Sequence, residues 1–198
     1  MIQVRLAAPR RAARVTVLVL GAAVLRAMLL PAGDVVSTAT FGACLLTISW
    51  MERGDPLPRP SAARAEGDSR GFIIWTVLAG LATGAVLLVP VMLSPLSGRP
   101  LEGFWIWASM AAVIATLEET AIRGALYRRW SEEAGPVVAI GAGALVFALI
   151  HLPRYGHGAM PLDAAVGLAL GGLRALTGRV LPCAVAHTIA DWGAWFWA

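Results

Sequence analysis

The chain has no lysine, few charges of any kind and only two cysteines. Charged residues make up 14% of its 198 positions and hydrophobic ones 58%, a balance that excludes an ordinary soluble domain and fits an integral membrane protein. The basic residues are all arginine and give a net charge of +4, without the dense patch that nucleic-acid binding requires. Cys44 and Cys183 each lie in an apolar stretch, and no C-x-x-C pair occurs, which excludes a disulfide framework or a cysteine metal site. H-E-x-x-H, the common zinc-peptidase motif, is also missing. No cofactor is expected.

What remains is apolar sequence in blocks. Segments at about 15–31, 35–51, 71–94, 104–127, 136–152, 160–176 and 180–198 approach or reach the roughly 17–25 residues that cross a bilayer. Such a backbone must satisfy its own hydrogen bonds, so the fold class is all-α: a polytopic transmembrane helical bundle of about seven spans. Residues 1–198 read as a single membrane-embedded domain. The first two segments, joined by Pro31-Ala-Gly-Asp34, suggest a helical hairpin. Residues 52–70, rich in Pro, Gly and charge, form the one substantial polar loop, expected on the cytoplasmic side. Arg5, Arg10, Arg11 and Arg14 ahead of Val15–Leu30 resemble a secretory signal. No small-x-small cleavage site follows, so this run is read as a retained span.

The arginines orient this layout. With a cytoplasmic N-terminus, twelve fall in inside segments and two, Arg99 and Arg154, outside. Trp105 and Trp107, with Trp192, Trp195 and Trp197, then mark the outer interface. The all-arginine, Ala/Gly-rich composition suggests a bacterial source and its cytoplasmic membrane. Arg26 and Arg123 fall within spans; Arg123 has a partner in Glu119, while Arg26 either snorkels or faces another helix.

Ionisable residues are costly in hydrocarbon and by default face a bundle interior or a wet cavity. Three clusters break the apolar pattern: Glu118-Glu119-x-x-x-Arg123, Phe147-x-x-x-His151 and His187-x-x-x-Asp191. On a helix turning about 100° per residue, Glu119 and Arg123 share a face in the favourable order for an ion pair. Glu118 points elsewhere and is left as the free carboxylate, suited to general-base work. Taken singly, each cluster has a bland reading: interhelical salt bridges for the glutamates, and hydrogen bonds for either histidine. Leu152-Pro153 is expected to end the fifth helix just after His151. Counted along straight helices, His151 sits further out than Glu118 and His187, so convergence requires tilt or uneven ends. Cys183, one turn before His187, reads as a packing residue. Gly167, Gly171 and Gly172 read as points of close helix approach.

The ordered set Glu-Glu-x-x-x-Arg, Phe-x-x-x-His and His-x-x-x-Asn/Asp on successive apolar helices resembles the CPBP family. That group contains the CAAX prenyl endopeptidases and bacteriocin-processing proteins, also called Abi. The resemblance covers about residues 104–192 and implies an intramembrane glutamic endopeptidase. It implies that Glu118 and His151 activate a water, that His187 and Asp191 stabilise the oxyanion, and that Glu119 and Arg123 hold Glu118 in place. Phe147 belongs to the same motif as His151. Asp191 departs from the asparagine common in prenyl endopeptidases; an ionised Asp cannot donate a hydrogen bond. It either carries a proton or orients His187 as the donor, and the second is preferred. The implied partners are the lipid bilayer and a membrane-associated or lipidated peptide or protein. Metal dependence stays open, because two histidines and carboxylates can hold an ion. Two rival functions are a non-catalytic scaffold or immunity protein of the same fold and an ion or metal transporter. The three costly clusters count against the first, and the lack of paired broken helices against the second.

Overall fold

The computed structural model describes residues 10–53, 69–93 and 100–197. Most of the polar loop expected at 52–70 therefore lies outside the described residues, as do Arg5, Arg59, Arg64 and Arg99. The described chain is helical without strands. Its elements are α1 (Arg10–Leu29), α2 (Asp34–Met51), α3 (Ser69–Met92), α4 (Phe104–Glu119), α5 (Tyr127–Ala134), α6 (Pro136–Tyr155), α7 (Met160–Thr177) and α8 (Leu181–Trp197). A π-helical stretch, Thr120–Leu126, joins α4 to α5 without a break.

Each of the seven expected apolar segments forms helix. Five helical stretches are long and apolar enough to cross a membrane: Arg10–Ala32, Asp34–Met51, Gly71–Met92, Pro136–Tyr155 and His157–Thr177. The other two, α4 and α8, are 16 and 17 residues long. Side chains such as Val17, Val86, Ile106 and Leu176 stand exposed on the outside of the bundle. In water that surface would be untenable; against acyl chains it is the ordinary outside of an integral membrane protein.

The α1–α2 hairpin forms as its turn composition suggested. Leu30–Ala32 makes a short 3-10 turn, and Gly33 at φ +106° starts α2. One expected boundary shifts. Helix α6 runs past Pro153 to Tyr155, and Gly156 at φ +75° ends it. A proline this near a helix end removes only one backbone bond, so His151 lies within the last turns of a continuous helix.

Small residues let the site-bearing helices approach closely. A Cβ on Gly167 would come within 2.7 Å of the Ala144 Cα, so α7 meets α6 backbone to backbone there. A Cβ on Gly80 would meet the Pro182 carbonyl oxygen at 2.8 Å, which seats α3 against α8 in the same way.

The two ends of the bundle differ. At one, Phe104, Trp107, Trp195 and Phe196 cluster, with the two tryptophan rings 4.9 Å apart. At the other, Arg14 and Arg129 both hold the buried Glu52 carboxylate, Arg129 at 2.9 Å. Burial works against that charge, but the hydrogen bonds from Arg129 and Arg14 outweigh it and hold the Glu52 carboxyl below its ordinary value. Glu133 accepts from the backbone N–H of Arg11 at 3.1 Å and of Ala12 at 3.3 Å, which caps the open start of α1.

Candidate active site

The three motifs meet although their helices are far apart in sequence. Glu118 Oε2 lies 3.9 Å from His151 Nε2 and 3.9 Å from His187 Nε2. Glu118 and His187 are buried, and the His151 side chain is 12% exposed. The depth mismatch counted on straight helices is thus absent. Separations near 4 Å are too long for direct hydrogen bonds and suit one bridging water.

The ring nitrogens turned away from this gap are anchored. His151 Nδ1 is 2.8 Å from the Phe147 carbonyl oxygen, which can only accept, so Nδ1 carries the proton and Nε2 faces Glu118. His187 Nδ1 donates to Glu119 Oε1 at 3.0 Å, which again turns Nε2 towards Glu118. Glu119 is therefore the residue that fixes the His187 ring. Asp191, expected to orient His187, lies on the other side of it, with Oδ1 3.6 Å from Nε2. It and Glu118 both approach His187 Nε2, and its side chain is 37% exposed.

Glu119 and Arg123 form the ion pair that the helical spacing indicated, at 2.8 Å and fully buried. Arg123 also donates to the Gly167 carbonyl at 3.2 Å and lies over the Phe147 ring, 4.7 Å from its centroid. Phe147 in turn packs on both imidazoles, with centroids at 4.4 Å from His151 and 5.2 Å from His187. One network thus runs from α4 through the π stretch to α6, α7 and α8. The wide turn at Thr120–Leu126 is part of it, since Arg174 enters from α7 and donates to the Arg123 carbonyl at 2.9 Å. A side-chain donor entering the backbone ladder is a known companion of such a bulge.

Three residues near the site had no motif to reveal them. Arg26 of α1 faces inward, with Nη1 3.8 Å from Glu118 Oε1 and its guanidinium over Phe41 at 4.8 Å. Glu118 is therefore not without a cationic partner. The only signal for Arg26 in the sequence was a charge within an apolar run. Tyr155 stacks on His151 at 5.7 Å. Asp163 of α7 is close enough to interact electrostatically with both histidines. Cys183 is buried, with its thiol against the Leu170 carbonyl at 3.3 Å, as befits a packing residue.

A carboxylate and two imidazoles from three buried helices, opening on a further carboxylate, define a membrane protein with a hydrolase-type constellation. Residues 100–193 match the family model described as "Type II CAAX prenyl endopeptidase Rce1-like". The match agrees with the CPBP resemblance and runs from just before α4 into α8, taking in all three motifs. Arg26 and the helices α1 to α3 lie outside it. At family level this match supports a membrane peptidase of the CAAX-protease type. No curated protein and no solved structure matches the chain.

Glu118, His151 and His187 each offer one ligand atom, all within 4.8 Å of one another. The donor set of two imidazoles and one carboxylate fits a divalent transition metal such as zinc. Arg26 beside the carboxylate works against it, because the guanidinium already supplies positive charge at that oxygen.

Proposed function

We propose that this protein hydrolyses a peptide bond of a membrane-associated or lipidated protein, using a water activated by Glu118 and His151. The supporting observation is the convergence of Glu118, His151 and His187, with both imidazole Nε2 atoms 3.9 Å from Glu118 Oε2. Glu118 takes a proton from the water as it attacks the scissile carbonyl, and the His151 Nε2 lone pair holds that water in line. His187, when protonated on both nitrogens, keeps Nδ1–H on Glu119 and turns Nε2–H towards the developing oxyanion. Glu118 then passes its proton to the leaving nitrogen, and the C–N bond breaks. Glu119, Arg123 and Phe147 position these groups, and Asp191 supports the donating form of His187. The chain acts as one domain in the bacterial cytoplasmic membrane with its N-terminus inside. A prenylated substrate fits a bacterial source poorly, so leader-peptide processing or removal of a sorting anchor is the favoured role.

A second reading rests on the three-ligand set: the same residues would hold a metal ion, which would supply Lewis-acid activation of the water. The test compares the membrane peptidome of cells carrying wild-type or Glu118→Ala protein. A peptide processed only with the wild type supports peptidase action, and identical peptidomes contradict it. Chelation of the purified protein separates the two readings: unchanged turnover supports the glutamic route, and loss restored by added zinc supports the metal.

A further inference from the structure

A cavity lies away from the Glu118 site, at the arginine-rich end of the bundle. It holds about 220 Å³ and is lined by Ser49, Glu52, Arg53 and Arg128 among apolar and small side chains of α2 and the π stretch. Arg128 is partly buried, and its Nε and Nη2 have no hydrogen-bond partner among the described residues. The nearest carboxylate oxygen to Nε, that of Glu132, is 3.9 Å away, beyond hydrogen-bond reach. The Ser49 hydroxyl is buried and unpartnered as well. Glu52 adds little repulsion, because Arg14 and Arg129 already engage its two oxygens. Four arginines thus surround two glutamates, Glu52 and Glu132, and the surplus is positive.

Buried guanidinium and hydroxyl donors left unpaired are costly, so such a cluster calls for an acceptor. The fork geometry of Arg suits a phosphate oxygen pair. The side wall names the source. Leu46 and Trp50 on the spanning helix α2 are 55% and 63% exposed beside the cavity, where acyl chains and the interface would lie. We propose that this cavity binds the phosphodiester headgroup of an anionic phospholipid, with the Arg128 and Ser49 donors just behind its wall turning onto the phosphate and the exposed Arg53 beside it. Basic pockets between spanning helices suit such headgroups.

The test uses the full chain reconstituted in phosphatidylcholine bilayers with or without phosphatidylglycerol, with co-purifying lipid measured by native mass spectrometry. Phosphatidylglycerol is expected to be retained over phosphatidylcholine, and Arg128→Gln should lower that retention about fivefold. Arg128→Lys, which keeps the charge and loses the fork, should fall between the two. Equal retention of both lipids by the wild type, or full retention by Arg128→Gln, overturns the proposal. So does full suppression of lipid retention by inorganic phosphate at low concentration, which would mark a free-anion site. If Arg128→Gln does not fold, Arg53→Gln and Ser49→Ala carry the test: weakened retention supports the site, and unchanged retention in both overturns it.

Discussion

Replacing Arg123 by Met probes the support of the site. Arg123 is 1% exposed and makes a 2.8 Å bond to Glu119, which is 0% exposed. The substitution keeps the stem that packs on Phe147 but leaves Glu119 with only the His187 Nδ1–H as a partner. It also removes the donor on the Gly167 carbonyl. Stranding one member of a buried pair costs about 3–5 kcal/mol. At about 2–4 °C per kcal/mol for a chain of this size, the melting temperature should fall by about 6–20 °C. Thermal unfolding in nanodiscs, followed by circular dichroism, reads this directly. The double variant Arg123→Met, Glu119→Gln should regain part of the loss, because no buried charge is then left alone. A shift below about 2 °C for Arg123→Met, or purely additive losses in the double variant, would refute the claim that this pair anchors the site.

Other outcomes follow from the same geometry. Arg26→Met should lower kcat on the order of tenfold with little change in KM, and Arg26→Lys should restore part of it, because the cation faces Glu118 at 3.8 Å. Asp191→Asn should alter the pH profile of kcat/KM, since Oδ1 lies 3.6 Å from His187 Nε2; an unchanged profile would make ionisation at 191 irrelevant. Glu52→Gln should destabilise the fold near neutral pH. The Glu52 carboxyl is held below its ordinary value of 4.5, so its contribution is full above that pH and is lost as pH falls through the folded-state value. The melting difference between wild type and Glu52→Gln should therefore shrink on acidification below about pH 4, and a gap that widens there would contradict the assignment.

Much of the site was legible because helical periodicity is local. The turn of about 100° per residue separates Glu118 from Glu119 and pairs the latter with Arg123, and the structure has that pair. Gly167 and Gly171 make the expected close approach, and a Cβ on either would press on α6, but Gly172, expected to do the same, faces open space because it lies on the other side of α7. Arg26 was not legible, because which face of α1 turns inward depends on packing against α2 and α6. The orienting role of Glu119 on His187 joins residues 68 positions apart, which no spacing rule reaches. Helix α6 ends beyond the position Pro153 suggests, because a proline near a helix end is tolerated when a glycine can close the turn. The π stretch was not legible either, since the Arg174 contact to its Arg123 carbonyl comes from another helix.

In the proposed reaction Glu118 and His151 act on one water as a unit. Once a processed peptide is in hand, its turnover by Glu118→Ala, His151→Ala and the double variant tests this most directly. If the two share one step, the double variant should be no slower than the worse single variant, each having lost on the order of 100-fold or more. Losses that multiply in the double variant would show two independent roles and contradict the account.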